Sequence, residues 1–296
     1  MDQPVGRSMP SSEQMLACMA TLADAFVDLR EQALAELDPG PGTHLLDAGC
    51  GAGEFAIAVA PRVQPGGRVV GVDLNADTIN SARDAAAGAG VEMDFRVGDI
   101  RDLPCVDDEF DAVRCERVFQ HLERTDWPRA AAELIRVTRP RGIIQLIDPD
   151  HLQSAVAATD AGLARLLVTD TVTLPPNPES GIHLPELLRA AGAVDIHIGV
   201  HPLVVTSLAT FRAMRSPDAV LTYLVQRHQV EADRAAAFVA DLEARDRERL
   251  LPRDEYRPRR ERSEGGSLSR VGWRSRAPGI SFMRLSPRTL RTDRAQ

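Results

Sequence analysis

The sequence contains no lysine, so all 35 of its basic residues are arginines, and it has only four cysteines. No two cysteines form a Cys-x-x-Cys pair, which favours free thiols over a disulfide framework, and the histidines show no zinc-site spacing. No apolar run approaches the roughly 20 residues that a membrane-spanning helix requires. No basic segment followed by an apolar core marks a signal peptide. These absences predict a cytoplasmic protein with no metal and no membrane partner.

The formal net charge of −8 is unevenly distributed. Residues 253–296 are rich in arginine and net positive, so the preceding part of the chain is strongly acidic. An acidic body argues against nucleic acid as the main partner. The composition indicates nothing about the oligomeric state.

Strand-like and helix-like segments alternate through the middle of the chain. Strands are predicted at Leu45–Ala48, Arg68–Val72, Glu92–Val97, Phe110–Cys115 and Gly142–Ile147, with helices between them at Phe55–Ala60, Ala76–Ala87 and from Pro128 to Val137. This order is typical of an α/β fold, here a Rossmann-like, doubly wound and mostly parallel sheet with helices on both faces.

The remaining segments predict how the chain is organised around that sheet. Residues 1–10 are expected to be disordered, and 11–38 to form an amphipathic capping helix. A core spans 39–205 and contains an irregular substrate-side insertion at 149–181. Helices at 206–226 and 229–250 complete a C-terminal part that ends at 252, and the Arg-rich stretch 253–296 is expected to be a disordered tail. Within that tail, Ile280–Leu285 alternates in a strand-like pattern.

A glycine-rich turn follows the first predicted strand, in the stretch HLLDAGCGAGEF at 44–55. Glycines at 49, 51 and 53 permit a tight turn and close approach of the backbone to a ligand. Either a dinucleotide or a cationic cofactor that carries adenosine fits such a loop. The third glycine comes one residue earlier than in the usual dinucleotide pattern.

Acidic residues lie at the ends of the following strands. Asp73 ends the second strand, 20 residues after Gly53, where a carboxylate suits both ribose hydroxyls. Asp99 follows the third strand and Glu116 ends the fourth. Because parallel strands end at one edge of a sheet, these acids are expected to line one cleft.

Charge distinguishes the two cofactors. A pyrophosphate favours a helix N-terminus free of acids, but Asp47 precedes the loop and Glu54 follows it. S-adenosylmethionine carries a sulfonium and an ammonium and has no phosphate. The loop therefore favours S-adenosylmethionine, with a nicotinamide-dependent oxidoreductase as the alternative.

Five motifs together resemble the class I S-adenosylmethionine-dependent methyltransferases, in particular the small-molecule branch related to ubiquinone and menaquinone methyltransferases. They are LLDAGCGAG, VVGVDLN, VGDIRDLP, FDAVRCERVFQHL and RAAAELIRVTRPRGIIQLIDPD, and the resemblance covers about residues 40–205. It implies methyl transfer to a small organic acceptor. It also implies the cofactor-binding residues, which are Asp47, Gly49, Cys50, Gly51, Ala52, Gly53, Asp73, Leu74, Asp99, Ile100, Glu116 and Arg117. A non-catalytic cofactor-binding relative is a further alternative.

The resemblance leaves two features open. Family members end in an antiparallel seventh strand, so either Ile280–Leu285 supplies that strand or the sheet is incomplete at this edge. If the acceptor must lose a proton, His121 is the candidate base and His151 the second candidate. The motifs do not identify the acceptor.

Overall fold

A computed structural model describes residues 26–169, residues 174–248 and the strand 280–285. Seven strands form one sheet in the order β3-β2-β1-β4-β5-β7-β6, in which the first five strands of the chain are parallel. The strands are β1 His44–Ala48, β2 Arg68–Asp73, β3 Asp94–Val97, β4 Phe110–Glu116, β5 Thr138–Asp150, β6 Ile198–Leu203 and β7 Ile280–Leu285. The predicted α/β class and mostly parallel sheet are confirmed.

Helices cover both faces of the sheet. They are α1 Val27–Leu37, α2 Glu54–Val63, α3 Ala76–Gly88, α4 Trp127–Val137, α5 Ala161–Thr169, α6 Ser180–Ala190, α7 Leu208–Arg215, α8 Pro217–Gln226 and α9 Ala232–Glu248. Leu45 packs with α1, α2 and α3, whereas its neighbour Leu46 packs with α4 and α6 on the opposite face. This alternation explains why the strands are apolar throughout, since both faces are buried.

A separate apolar cluster joins α5, α7, α8 and α9, with Leu167, Val220 and Phe238 among its buried members. The prediction of a single helix at 206–226 is wrong, because α7 and α8 are two separate helices. The break lies at Ser216, which has φ 42° and directly precedes Pro217. A residue before proline is disfavoured in the helical region, which accounts for the break.

Some predicted boundaries differ from the structure. The strand predicted at Gly142–Ile147 belongs to the longer β5, and the insertion predicted to be irregular at 149–181 contains the helix α5. The expected capping helix 11–38 is seen from Val27 onward, and its first part lies outside the described residues. Within the described part of the chain, no helix is both long and apolar enough to cross a membrane.

Ile280–Leu285 forms β7, which lies antiparallel between β5 and β6. The first of the two alternatives for the seventh strand is therefore the one found. The expectation of disorder is wrong for these six residues, because their backbone pairs on both sides. The rest of the segment 253–296 lies outside the described residues.

We predict that deletion of residues 280–296 destabilises the protein. β5 and β6 would lose their common partner, which exposes unpaired backbone and promotes aggregation. We expect the melting temperature to fall by at least about 5 °C, measured by calorimetry. Deletion of 286–296 alone is the control and leaves β7 in place. Equal melting temperatures for the two truncations would contradict the pairing.

Candidate functional site

The glycine loop between β1 and α2 is held against β2 by its backbone. The N–H of Gly49 donates to the carbonyl oxygen of Val72 at 2.7 Å. Gly49 has φ 78° and Gly53 has φ 80°. A Cβ on Gly49 would lie 2.2 Å from Val118, and one on Gly53 would lie 2.6 Å from the Phe95 ring. Conformation and close packing therefore both require glycine at these two positions.

Asp73, at the end of β2, is tied to this loop through both carboxylate oxygens. One oxygen accepts from the N–H of Gly51 and the other from the N–H of Asn75, each at 3.0 Å. Each oxygen keeps a lone pair for a further donor. The next residue, Leu74, is 67% exposed and presents an apolar side chain beside this carboxylate. The Asp73 carboxylate and the Leu74 side chain together suit a ligand in which a hydroxyl-bearing ring is joined to a flat apolar group.

Asp99 follows β3 and is paired with an arginine. Its carboxylate accepts from the Arg101 side chain at 2.6 Å, and Arg101 also reaches Asp126. The hydrogen bonds from Arg101 lower the pKa of Asp99 despite its partial burial. Ile100 beside it is buried in the core that packs against α4. Asp99 is thus an ionised acceptor at the same sheet edge as Asp73.

A buried arginine lies between two of the expected cofactor-binding acids. Arg114 in β4 donates to Asp47 at 3.2 Å and also to Glu116. Its guanidinium stacks 3.8 Å over the Phe55 ring. The side chains of Arg114 and Asp47 are 4% and 2% exposed. Removal from water raises the pKa of Asp47, and the neighbouring Arg114 counteracts that effect.

Other charges of the loop region are also matched. Glu54, in the first turn of α2, lies 3.7 Å from the guanidinium of Arg30 on α1.

Burial raises the pKa of the Cys50 thiol within the loop, and it does the same for Cys115 in β4. Both are therefore neutral thiols at physiological pH and poor nucleophiles. Within the described residues, no group of histidine, cysteine and acidic side chains could hold a metal ion.

The turn after β4 is anchored by a buried carboxyl group on β5. Asp148 accepts from the backbone N–H groups of Phe119 and Gln120 and from the Ser180 hydroxyl, at 3.1 to 3.2 Å. Burial raises the pKa of Asp148 to about 7 in spite of these bonds. The turn that carries Gln120 and His121 is therefore fixed relative to β5.

Both candidate histidines are at this end of the sheet. Desolvation, and secondarily Arg117, lower the pKa of His121 to about 4, although its side chain reaches solvent. His151 is half-buried, and its Nε2 lies 3.0 Å from the side-chain oxygen Oε1 of Gln120. Burial lowers the pKa of His151 to about 3, aided by Arg215, Arg117 and His121. Both imidazoles are therefore neutral at pH 7.

The structure brings the sequence-predicted residues to one edge of the sheet, and it adds three that sequence reasoning missed. The carboxyl ends of β1, β2, β3 and β4 lie side by side. The missed residues are Arg114, Gln120 and Asp148. A signal for Arg114 was present, because an arginine within an apolar strand needs a buried partner, and Asp47 is its direct neighbour in the parallel register.

Comparison with known proteins identifies related chains. Residues 45–142 match a family model described as a methyltransferase domain. The nocamycin O-methyltransferase of Saccharothrix syringae is 30% identical over 253 residues, which cover 75% of this chain and 84% of that protein. An uncharacterised 37.1 kDa protein in transposon TN4556 of Streptomyces fradiae is 32% identical over 72% of this chain. The match spans 59% of the length of the Streptomyces protein.

A solved structure shares the fold. It is a phosphoethanolamine N-methyltransferase 2 of Haemonchus contortus in complex with S-adenosyl-L-methionine, with a TM-score of 0.53 and 13% identity. The superposition covers 96% of this chain and 58% of that one. At this identity the likeness concerns the architecture only, because one fold supports many activities.

We predict that Arg114→Met destabilises the protein by about 3–5 kcal/mol, because it leaves the buried Asp47 and the partly buried Glu116 without their counter-ion. Urea unfolding measures the loss. The double variant Arg114→Met/Asp47→Asn removes one of those charges, and we expect it to recover at least a third of the loss. If the Arg114→Met variant were as stable as the parent protein, Arg114 would not act as the counter-ion of these carboxylates.

Proposed function

This chain belongs to the class I S-adenosylmethionine-dependent methyltransferase family, and we propose that it transfers a methyl group from S-adenosylmethionine to a small organic acceptor. The observation that carries the proposal is the Asp73 carboxylate, tied to the glycine loop and open to further donors at the edge where the strands end. Ligands of open α/β sheets bind at this edge.

The described residues fit the parts of that cofactor. Asp73 would accept from the two ribose hydroxyls, with Leu74 against the adenine and Asp99 with Ile100 around its edge. The backbone of Gly49, Cys50, Gly51, Ala52 and Gly53 passes close enough for the methionine part to lie against it, as the tight contacts at Gly49 and Gly53 indicate. Asp47 and Glu116 would supply negative charge for its ammonium, and Arg117 would close the pocket.

A pyrophosphate fits the same residues poorly. It would meet Glu54 in the first turn of α2, and beneath the loop a group in which two acids, Asp47 and Glu116, share the one base Arg114. The Arg30 ion pair reduces the effect of Glu54, but the excess of acid in the buried group still opposes an anion at a helix N-terminus. No contact among the residues that the structure describes therefore favours the alternative of a nicotinamide-dependent oxidoreductase.

Methyl transfer from S-adenosylmethionine requires the protein mainly to align the acceptor with the methyl group. When bound, S-adenosylmethionine supplies an activated methyl group on a sulfonium. The site must hold the acceptor in line with that group, and such positioning accounts for several kcal/mol of the barrier. His121 is the residue that would take a proton from the acceptor. Desolvation and the neighbouring Arg117 lower its pKa, so it is a weak base that suits an acidic acceptor best.

We predict that Asp73→Ala weakens S-adenosylmethionine binding by about 1.5–3 kcal/mol, roughly tenfold to more than a hundredfold, since hydrogen bonds to a charged acceptor are lost. Titration calorimetry measures the affinity, with NAD as the competing ligand, for which we expect no binding. Asp84→Ala is the matched control, because Asp84 is exposed on the helix that follows Asp73. Unchanged affinity in a folded Asp73→Ala variant would refute the ribose assignment.

We also predict that His121 and His151 stay neutral from pH 5.5 to pH 8. Their lowered pKa values place protonation below this range. The imidazole resonances followed by NMR should therefore not titrate near pH 6.5, where an unperturbed histidine does. Variants His121→Gln and His151→Gln assign the signals. A midpoint between 6 and 7 for His121 would contradict the desolvated site.

A further inference from the structure

His151, the residue directly after β5, is held in one orientation by contacts on two sides. Its backbone N–H donates to the Pro178 carbonyl oxygen at 2.7 Å. Its ring nitrogen Nε2 lies 3.0 Å from the side-chain oxygen of Gln120. Gln120 is buried in the turn after β4, where its own carbonyl oxygen accepts from the N–H of Asn177 at 3.1 Å. The imidazole is therefore fixed against the turn after β4.

Gln120 determines which ring nitrogen of His151 carries the proton. The side-chain nitrogen of Gln120 lies 3.1 Å from the Arg117 carbonyl oxygen, to which it must donate. The side-chain oxygen therefore accepts from His151, whose proton must be on Nε2 when the ring is neutral. Burial keeps the ring neutral at pH 7, because it lowers the pKa of His151 to about 3. Nδ1 then has a lone pair and can only accept.

The turn at residues 151–154 carries two buried polar atoms, Nδ1 of His151 and Oγ of Ser154. Neither has a hydrogen-bond partner in the part of the chain that the structure describes. The N–H of Ser154 donates to the His151 carbonyl oxygen at 3.2 Å, so both side chains project from a single turn. Because buried polar atoms without partners are costly, we expect a bound group to satisfy both of them.

The acids at the ends of β4 and β5 do not supply the missing donor. Glu116 is bonded to Arg114, and Asp148 accepts three hydrogen bonds from the protein. Asp150 accepts from the backbone N–H of Leu152 at 3.1 Å. These carboxylates act as acceptors, whereas an unprotonated ring nitrogen requires a donor. A ligand that offers only a carboxylate, carbonyl or ether oxygen has the same deficiency.

The turn at 151–154 lies between the glycine loop and an apolar surface. Val118, two residues before Gln120, packs so closely on Gly49 that a Cβ there would lie 2.2 Å from the valine side chain. Beyond Ser154, Val156 packs against the apolar cluster of α5, α7, α8 and α9. An apolar ring that carries one polar group would suit such a place.

We propose that His151 and Ser154 bind a neutral hydroxyl group of the methyl acceptor, with Nδ1 accepting from the hydroxyl and Oγ donating to it. This inference rests on the proposed methyl transfer and assigns its substrates to the class of hydroxylated small molecules. A hydroxyl group satisfies both atoms, because it donates and accepts at once. An ammonium could donate to both, but burial beside an apolar cluster penalises an unpaired charge.

The first test determines the tautomer of His151. Long-range proton–nitrogen NMR spectra of the full chain with isotope-labelled histidine should show the proton of His151 on Nε2. His201 is the control with the opposite tautomer, because its Nδ1 lies 2.6 Å from the side-chain oxygen of Gln32, whose nitrogen donates to Glu36. A proton on Nδ1 of His151 would overturn the inference, since that atom could not then accept.

The second test uses phenol and toluene, which have the same shape and differ in the hydroxyl group. Phenol should shift the Nδ1 resonance of His151 in a saturable way, toluene should not, and His201 should respond to neither. Ser154→Ala should weaken phenol binding about fivefold, as expected for the loss of one hydrogen bond. Ser81→Ala is the matched control and should leave phenol binding unchanged, because the Ser81 hydroxyl donates to the Asp77 carbonyl oxygen on α3. Melting temperatures confirm that both variants are folded.

Three results of the phenol experiment would overturn the inference. They are equal responses to the two probes, no response to phenol, and unchanged phenol binding in folded Ser154→Ala, and each would indicate that water alone satisfies the two atoms. Calorimetry with S-adenosylmethionine on the same samples separates the two proposals. Cofactor binding without a phenol response removes only the hydroxyl site. A phenol response without cofactor binding leaves a hydroxyl-binding site and removes the methyl-transfer proposal.

Discussion

The buried guanidinium of Arg114 is the constraint on which the cofactor end of the cleft depends. A charge that is almost fully removed from water must be compensated, and Asp47 on the adjacent β1 and Glu116 on β4 itself provide that compensation. The same bonds hold the ends of β1 and β4 at a set spacing below the glycine loop. Stacking on Phe55 adds a contact from α2. One side chain thus ties together three elements that form the floor of the proposed site.

The acids at the strand ends determine which cofactor the cleft favours. In the proposed function, Asp73 and Asp99 at the ends of β2 and β3 accept from the adenosine part of a cationic cofactor. Asp47 lies beneath the glycine loop and shares the buried Arg114 with Glu116 at the end of β4. This group contains one more acid than base, which suits a cation better than a pyrophosphate.

The sequence predicts the sheet and its acidic edge well, because both follow from local patterns. Apolar strands with a glycine turn and strand-end acids need only the parallel order of an α/β fold to be placed together. Residues such as Gln120 and Asp148 act through contacts between β5 and the turn after β4, so no local pattern marks them. The place of β7 between β5 and β6 also depends on pairing across a long stretch of chain.

The central claim is that the glycine loop and Asp73 hold the adenosine part of S-adenosylmethionine. A crystal structure of the protein with S-adenosylhomocysteine tests it most directly. The account predicts both ribose hydroxyls within hydrogen-bonding distance of the Asp73 carboxylate, the adenine against Leu74, and the amino-acid part near Asp47. A ligand bound elsewhere, or a ribose that does not touch Asp73, would contradict it.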